Sequence, residues 1–276
     1  MSVSSNGDQT FEVNGSDGAT ISADGRFVAF NSTATDLVNG DDNDSLDVFV
    51  HDRQTGTTVR ASVDSSGVQG DDNSYDACIS GDGGTVTFYS YATNLVPGDS
   101  NGFHDVFVHE LATGLTERVS IGAGGVEPNE KSWAGNLSAD GRLVTFTSFA
   151  SNLIPDDTEG ITDVFVKDRE TGAITRATVN SQGVAADSTS EDAFLAPDGR
   201  YVAYASWATN LVSGDTNAAV DIFVHDLATG ETVRASVDSA DAQADDFSWG
   251  PRLSGDGRHV AFMSWATNLV DGDTNE

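Results

Sequence analysis

Oxygen ligands recur along this chain at one spacing. Asp41, Asn43 and Asp47 take positions 1, 3 and 7 of a loop rich in Asp and Gly. The set returns as Asp99, Asn101 and Asp105, as Asp157, Glu159 and Asp163, and as Asp215, Asn217 and Asp221. Asp273 and Asn275 open a fifth copy. Carboxylates and amide carbonyls so spaced suit a hard cation, and calcium takes about six to eight oxygens at roughly 2.3–2.6 Å. A backbone carbonyl at Ser45, Phe103, Ile161 or Ala219 would add one more. These loops are the expected metal sites and calcium the expected cofactor. They are not EF-hands. Position 6 is Leu46, His104, Thr162 or Val220, where an EF-hand needs Gly. The acid at position 12 (Asp52, Glu110, Asp168 or Asp226) is carried roughly 16 Å away if the intervening residues are a strand. Further oxygens would have to come from Asp42 or a neighbouring repeat. Two other readings stay open: turn capping through Asx hydrogen bonds, or a salt-adapted acidic surface.

Beside each loop lies an aromatic position, Tyr91, Phe149, Trp207 and Trp265, with Thr33 in the first copy. Rings there could stack on sugars or grip a peptide, or could pack between repeats. Other reactive residues carry less. His51, His109 and His225 share one repeat position, with Lys167 in the remaining copy, so they are no unique catalytic set. Gly98-Asp99-Ser100-Asn101-Gly102 matches a nucleophile elbow in letters but lacks the strand-turn-helix setting. Asp76, Glu191 and Asp192 could face a central channel, yet form no distinctive pair of carboxylates. The single cysteine, Cys78, forbids an internal disulfide.

A ruler positions all of these. Asp24-Gly25-Arg26 recurs as Asp82-Gly83-Gly84, Asp140-Gly141-Arg142, Asp198-Gly199-Arg200 and Asp256-Gly257-Arg258, each 58 residues on. A fixed period of this size marks a repeat architecture. Each repeat reads as four short strands. The first centres on Ile21, Ile79, Leu137, Leu195 or Leu253. The second alternates Val28/Phe30, Val86/Phe88, Val144/Phe146, Val202/Tyr204 and Val260/Phe262. The third, Asp47-Val48-Phe49-Val50 and its copies, is apolar on both faces and so buried on both. The fourth carries Arg60, Arg118, Arg176 or Arg234, charges that suit an outer edge. Two connections are tight and two are long and acidic. In an up-and-down sheet this puts the tight turns at one end and the acidic loops at the other.

Ser-x-Asp-Gly-Arg-x-Val-Ala-Phe followed by Asp-Val-Phe-Val-x-Asp-x-x-Thr-Gly resembles the WD40-like repeat of the PD40 class, as in TolB-like propellers. The resemblance covers nearly the whole chain and implies an all-β β-propeller with four-stranded blades. It departs from the family in having Pro before Asp-Gly only at Pro197. One domain is expected over 1–276, with repeats at 16–73, 74–131, 132–189 and 190–247 and a partial fifth from 248–276 plus 1–15. Thr10-Phe11-Glu12-Val13 could close that fifth blade, and an open ring would instead invite assembly.

The formal charge is −31, from 34 Asp and 10 Glu against 11 Arg and 2 Lys. Such a field repels phosphate backbones and anionic lipid surfaces, so neither nucleic acid nor membrane is an expected partner. No apolar run reaches membrane-spanning length, and no signal peptide is visible. The expectation is a non-enzymatic protein- or ligand-binding scaffold, secreted, at the cell surface or periplasmic. A carbohydrate-binding propeller is the alternative, and a glycoside hydrolase the third reading.

Overall fold

The computed structural model describes residues 4, 5, 7, 16–157 and 160–273. Every regular element among them is a β-strand, and consecutive strands pair antiparallel. The first sheet runs β1 (Ser16–Ile21), β2 (Phe27–Ser32), β3 (Asp47–Asp52) and β4 (Thr57–Arg60). The second runs β5 (Ser74–Ile79), β6 (Thr85–Ser90), β7 (Asp105–Glu110) and β8 (Thr116–Arg118). The third is β9 (Ser132–Leu137), β10 (Leu143–Ser148), β11 (Asp163–Asp168) and β12 (Ile174–Arg176). The fourth is β13 (Ser190–Leu195), β14 (Tyr201–Ser206), β15 (Asp221–Asp226) and β16 (Thr232–Arg234). The fifth has two strands, β17 (Ser248–Leu253) and β18 (Val260–Ser264). Four blades are thus complete and a fifth is half-built among the described residues. Thr10–Val13, the segment expected to close it, lies outside them.

Two-sided apolar strands are buried as their sequence requires. All six residues of β3 are buried, and Val48, Phe49 and Val50 are sealed. Each second strand meets the third through a ring pair: Phe30–Phe49, Phe88–Phe107, Phe146–Phe165 and Tyr204–Phe223 lie 5.5–6.0 Å apart. Such offset pairs add to the area they bury.

The Asp-Gly ruler has a packing cause. Gly83 and Gly257 hold φ of +76° and +66°, a region that L side chains rarely enter. A Cβ on Gly83 would stand 2.3 Å from Phe27, and one on Gly257 2.2 Å from Tyr201. The turns at Gly83, Gly141, Gly199 and Gly257 therefore nest on the start of the second strand of the blade before. The inner strands β1, β5, β9, β13 and β17 stand side by side around a central cavity of about 750 Å³.

Candidate functional site

The acidic loops end where the third strands begin, and the fourth strand returns an arginine to the same spot. In the first blade Arg60 sends one amino group to Asp47 Oδ2 at 3.2 Å and to Asp41 Oδ1 at 3.6 Å. Ser62 Oγ donates to Asp47 Oδ1 at 2.5 Å. Asn43 Nδ2 donates to Asp47 Oδ2 at 3.2 Å and to the Gly70 carbonyl at 2.9 Å, while its Oδ1 accepts from Ser45 N. The second blade repeats this with Arg118 on Asp99 (3.1 Å) and Asp105 (2.8 Å), and adds Glu127 at 3.0 Å. Arg176 joins Asp157 and Asp163, and Arg234 joins Asp215 and Asp221. Residues 44, 102, 160 and 218 all take positive φ, so the four loops share one turn.

A guanidinium thus stands between the two carboxylates that a metal would need. The asparagine presents its NH2 to the second aspartate and spends its carbonyl on backbone. This donor set, as arranged, does not fit calcium. Among the described residues no three His, Cys, Asp or Glu side chains converge as metal ligands. Glu159 and Asn275 lie outside the described residues, and Asp273 lies in the fifth loop.

One cation serves two carboxylates in each clamp, so a negative charge is left over in a dry place. Burial raises the Asp41 carboxyl to about 6, against the pull of Arg60 and with a further push from Asp47. Asp99 is likewise raised to about 6 by burial, against Arg118. Burial also raises Asp47, Asp105 and Asp215. Glu127, at the rim, goes the other way, held down at about 2 chiefly by Ser100. Other loop acids cap turns: Asp71, Asp187 and Asp245 accept from both the backbone and the hydroxyl of Thr93, Thr209 and Thr267.

Three of the four predicted aromatic positions are exposed, and Phe149 is half-buried. Tyr91 is 46% exposed, Trp207 39% and Trp265 66%. Tyr91 lies 4.8 Å from His104, which lies 5.0 Å from both Tyr89 and Trp133, and Trp133 lies 5.7 Å from Phe149. Tyr75 stacks on Tyr89 at 5.1 Å. Lys131 Nζ sits 5.2 Å from the rings of both Trp133 and Phe149, within cation–π range. Trp265 meets Trp249 edge-on at 4.9 Å. Trp133 and Phe149 also line the central cavity, together with Asp76, Glu191, Asp192 and Arg252. Burial raises the Glu191 carboxyl, and Asp192 beside it adds to the effect. Asp76 and Asp192 themselves hold φ near +55° on bulged inner strands.

No family model and no curated protein sequence matches the chain. Solved structures do. A TolB-type protein from Agrobacterium tumefaciens superposes at a TM-score of 0.55 and 17% identity, over 93% of this chain and 72% of that one. TolB from Acinetobacter baumannii gives 0.50 and 18%, over 89% of this chain and 48% of that one, so this chain spans about half its length. The propeller domain of Cps50 (Swd1) from Myceliophteria thermophila gives 0.50 and 12%, over 97% and 70%. The fold is that of a TolB-like β-propeller.

Within this propeller, sequence reasoning had read Arg60 and its copies as guards of an outer edge. They are buried partners of the acidic loops instead, 4–10% exposed at the side chain. It passed over Tyr75, Trp133 and Trp249, which share one repeat position on the inner strands. Their shared register in the 58-residue ruler was the available signal. His51, His109 and His225 are buried and face Thr58, Thr116 and Thr232 at 2.8–2.9 Å, a structural role.

Proposed function

We propose that this propeller is a non-enzymatic binding module that takes its ligand where the acidic-loop end meets the central cavity. The observation that supports this is the row of rings running from Tyr75 through Tyr89, His104 and Trp133 to Phe149, with Tyr91 exposed beside it. Aromatic faces next to Asp76, Glu191 and Asp192 favour a cationic group. The net charge of −31 steers basic partners toward it. Lys131 already occupies one such position between Trp133 and Phe149. The reading is therefore a protein partner that offers an extended, basic segment, in an extracytoplasmic setting. The acidic loops act as arginine clamps that shape this end of the molecule, with no calcium in the role.

Exposed Trp207 and Trp265 support a second reading, stacking on sugar rings. One experiment separates the two. The protein is passed over an array of basic peptides and an array of glycans, and the Tyr91→Ala/Trp133→Ala variant is run beside it. Peptide hits that the variant loses support the first reading. Glycan hits lost in Trp265→Ala support the second, and silence on both arrays overturns the proposal.

A further inference from the structure

One of the chain's two lysines rests on rings rather than on acids. Lys131 stands just before β9 and is half-buried. Its ammonium lies 5.2 Å from the Trp133 ring and 5.2 Å from the Phe149 ring. It forms no ion pair among the described residues, although the chain carries 44 Asp and Glu and eight of its eleven arginines pair with one. Two π-faces therefore hold this cation.

Nothing in the blade requires that side chain. The Lys131 carbonyl accepts a hydrogen bond from Phe149 N. Asn73, Thr189 and Phe247, at the same repeat position, accept the same bond from Tyr91, Trp207 and Trp265. The backbone does this work whatever the residue, which leaves the side chain available for another role. The corner it fills has a definite shape. The Trp133 and Phe149 rings stand 5.7 Å apart with their planes at 59°. A compact ammonium meets both rings of such a corner at once, whereas a flat guanidinium lies along only one of them. Trp133 and Phe149 also line the central cavity together with Glu191 and Asp192. The corner thus opens into a field that draws cations.

We propose that this corner is an ammonium site, and that Lys131 is a tethered competitor holding it against lysine side chains of the partner. The inference rests on the basic-segment reading above, and adds which cation is chosen and what keeps the site shut. In the free protein Lys131 fills the corner. A partner lysine displaces it, and Lys131 moves out to water. Apparent affinity is reduced by the fraction of molecules in which the corner is already filled.

The test titrates fluorescein-labelled hexalysine and hexaarginine into the full chain and into Lys131→Ala, read by anisotropy. Loss of one positive charge helps both peptides alike, so the ratio of their dissociation constants is the readout. Lys131→Ala should move that ratio about fivefold toward hexalysine, the weight of one cation–π contact at an exposed site. Phe149→Ala removes one wall of the corner at a position where the first blade carries Thr33, and in the Lys131→Ala background it should cancel the move. A second readout follows Lys131 itself. With lysine isotopically labelled at Cε, the chain gives two lysine signals, from Lys131 and Lys167. The Lys131 ε-protons should be shifted upfield by the rings, and should reach the position of a solvated lysine at saturating hexalysine while Lys167 stays in place. A ratio unchanged in Lys131→Ala overturns the tethered competitor, and the basic-segment reading still stands if the parent binds both peptides. Hexalysine bound with the Lys131 signal still upfield also overturns it. Failure of both peptides to bind parent and variant overturns the proposal together with the reading beneath it.

Discussion

Arginine meets aspartate at both ends of this propeller, with opposite physics. At the tight-turn end Arg26, Arg142 and Arg200 fork onto Asp52, Asp168 and Asp226, one cation to one aspartate, and Arg142 also reaches the exposed Glu170 at 3.1 Å. These arginines are 38–47% exposed at the side chain. At the acidic-loop end one arginine serves two aspartates, and the Arg118 and Asp105 side chains are 4% and 0% exposed. Pairs in water gain little because solvent screens them and side-chain entropy opposes them. Charges out of water cost much to bury, and removal of one partner strands the other. The same residue types therefore decorate one face and hold the other together.

The largest test of this contrast is Arg118→Met. It leaves Asp99, Asp105 and Glu127 with no cation, and removing one partner of a buried charge pair typically costs about 3–5 kcal/mol. Chemical denaturation should show a loss of that order. Calcium sharpens the result. Millimolar calcium should leave the melting temperature of the parent unchanged and raise that of the variant, whose carboxylates then lack an internal cation. A calcium-dependent rise in the parent would break the clamp reading and return the loops to metal binding.

The fold could be read from the chain because its determinants are local or strictly periodic. Val28/Phe30 and its copies alternate, the third strands are apolar on both faces, and from the second blade on the ruler records a glycine that nests on the blade before. The clamp was only half legible. Asp41, Asn43 and Asp47 lie within seven residues and suggest a hard metal cation, whereas in the fold a guanidinium meets Asp41 and Asp47. The cation, Arg60, arrives 13 residues after Asp47 across a hairpin, and spacing along the loop cannot show it. The aromatic row was half legible for a similar reason: Tyr91 and Phe149 stand in the loops of two blades, and what joins them is the contact of His104 with Trp133 across the blade boundary.

The second test uses pH, because the two faces carry opposite signs. An unfolded aspartate titrates near about 3.9. Asp41 and Asp99 keep their protons up to about 6 in the folded protein. Between those values the folded state holds protons that the unfolded state has released, so this contribution to stability falls as pH rises and levels off above about 6. Asp52, Asp168 and Asp226 are lowered, chiefly by their arginines. Their contribution is complete above about 4 and is lost as pH falls below it. Asp99→Asn removes the first trend in one blade. Its melting temperature relative to the parent should climb from pH 4 to pH 7, and a flat difference would break the assignment of a raised carboxyl to the clamp.

The smallest effect belongs to Arg200→Gln on the tight-turn face. The fork to Asp226 is lost, but both groups reach water, so the melting temperature should move several-fold less than in Arg118→Met. Salt makes the comparison independent of size. Screening reaches exposed charges over about 10 Å at 0.1 M ionic strength and reaches buried ones far less. The Arg200→Gln shift should therefore shrink toward zero in high salt, while the Arg118→Met shift persists. Equal salt sensitivity at the two faces would mean that water enters the clamps, and the contrast between a decorated face and a held one would fail.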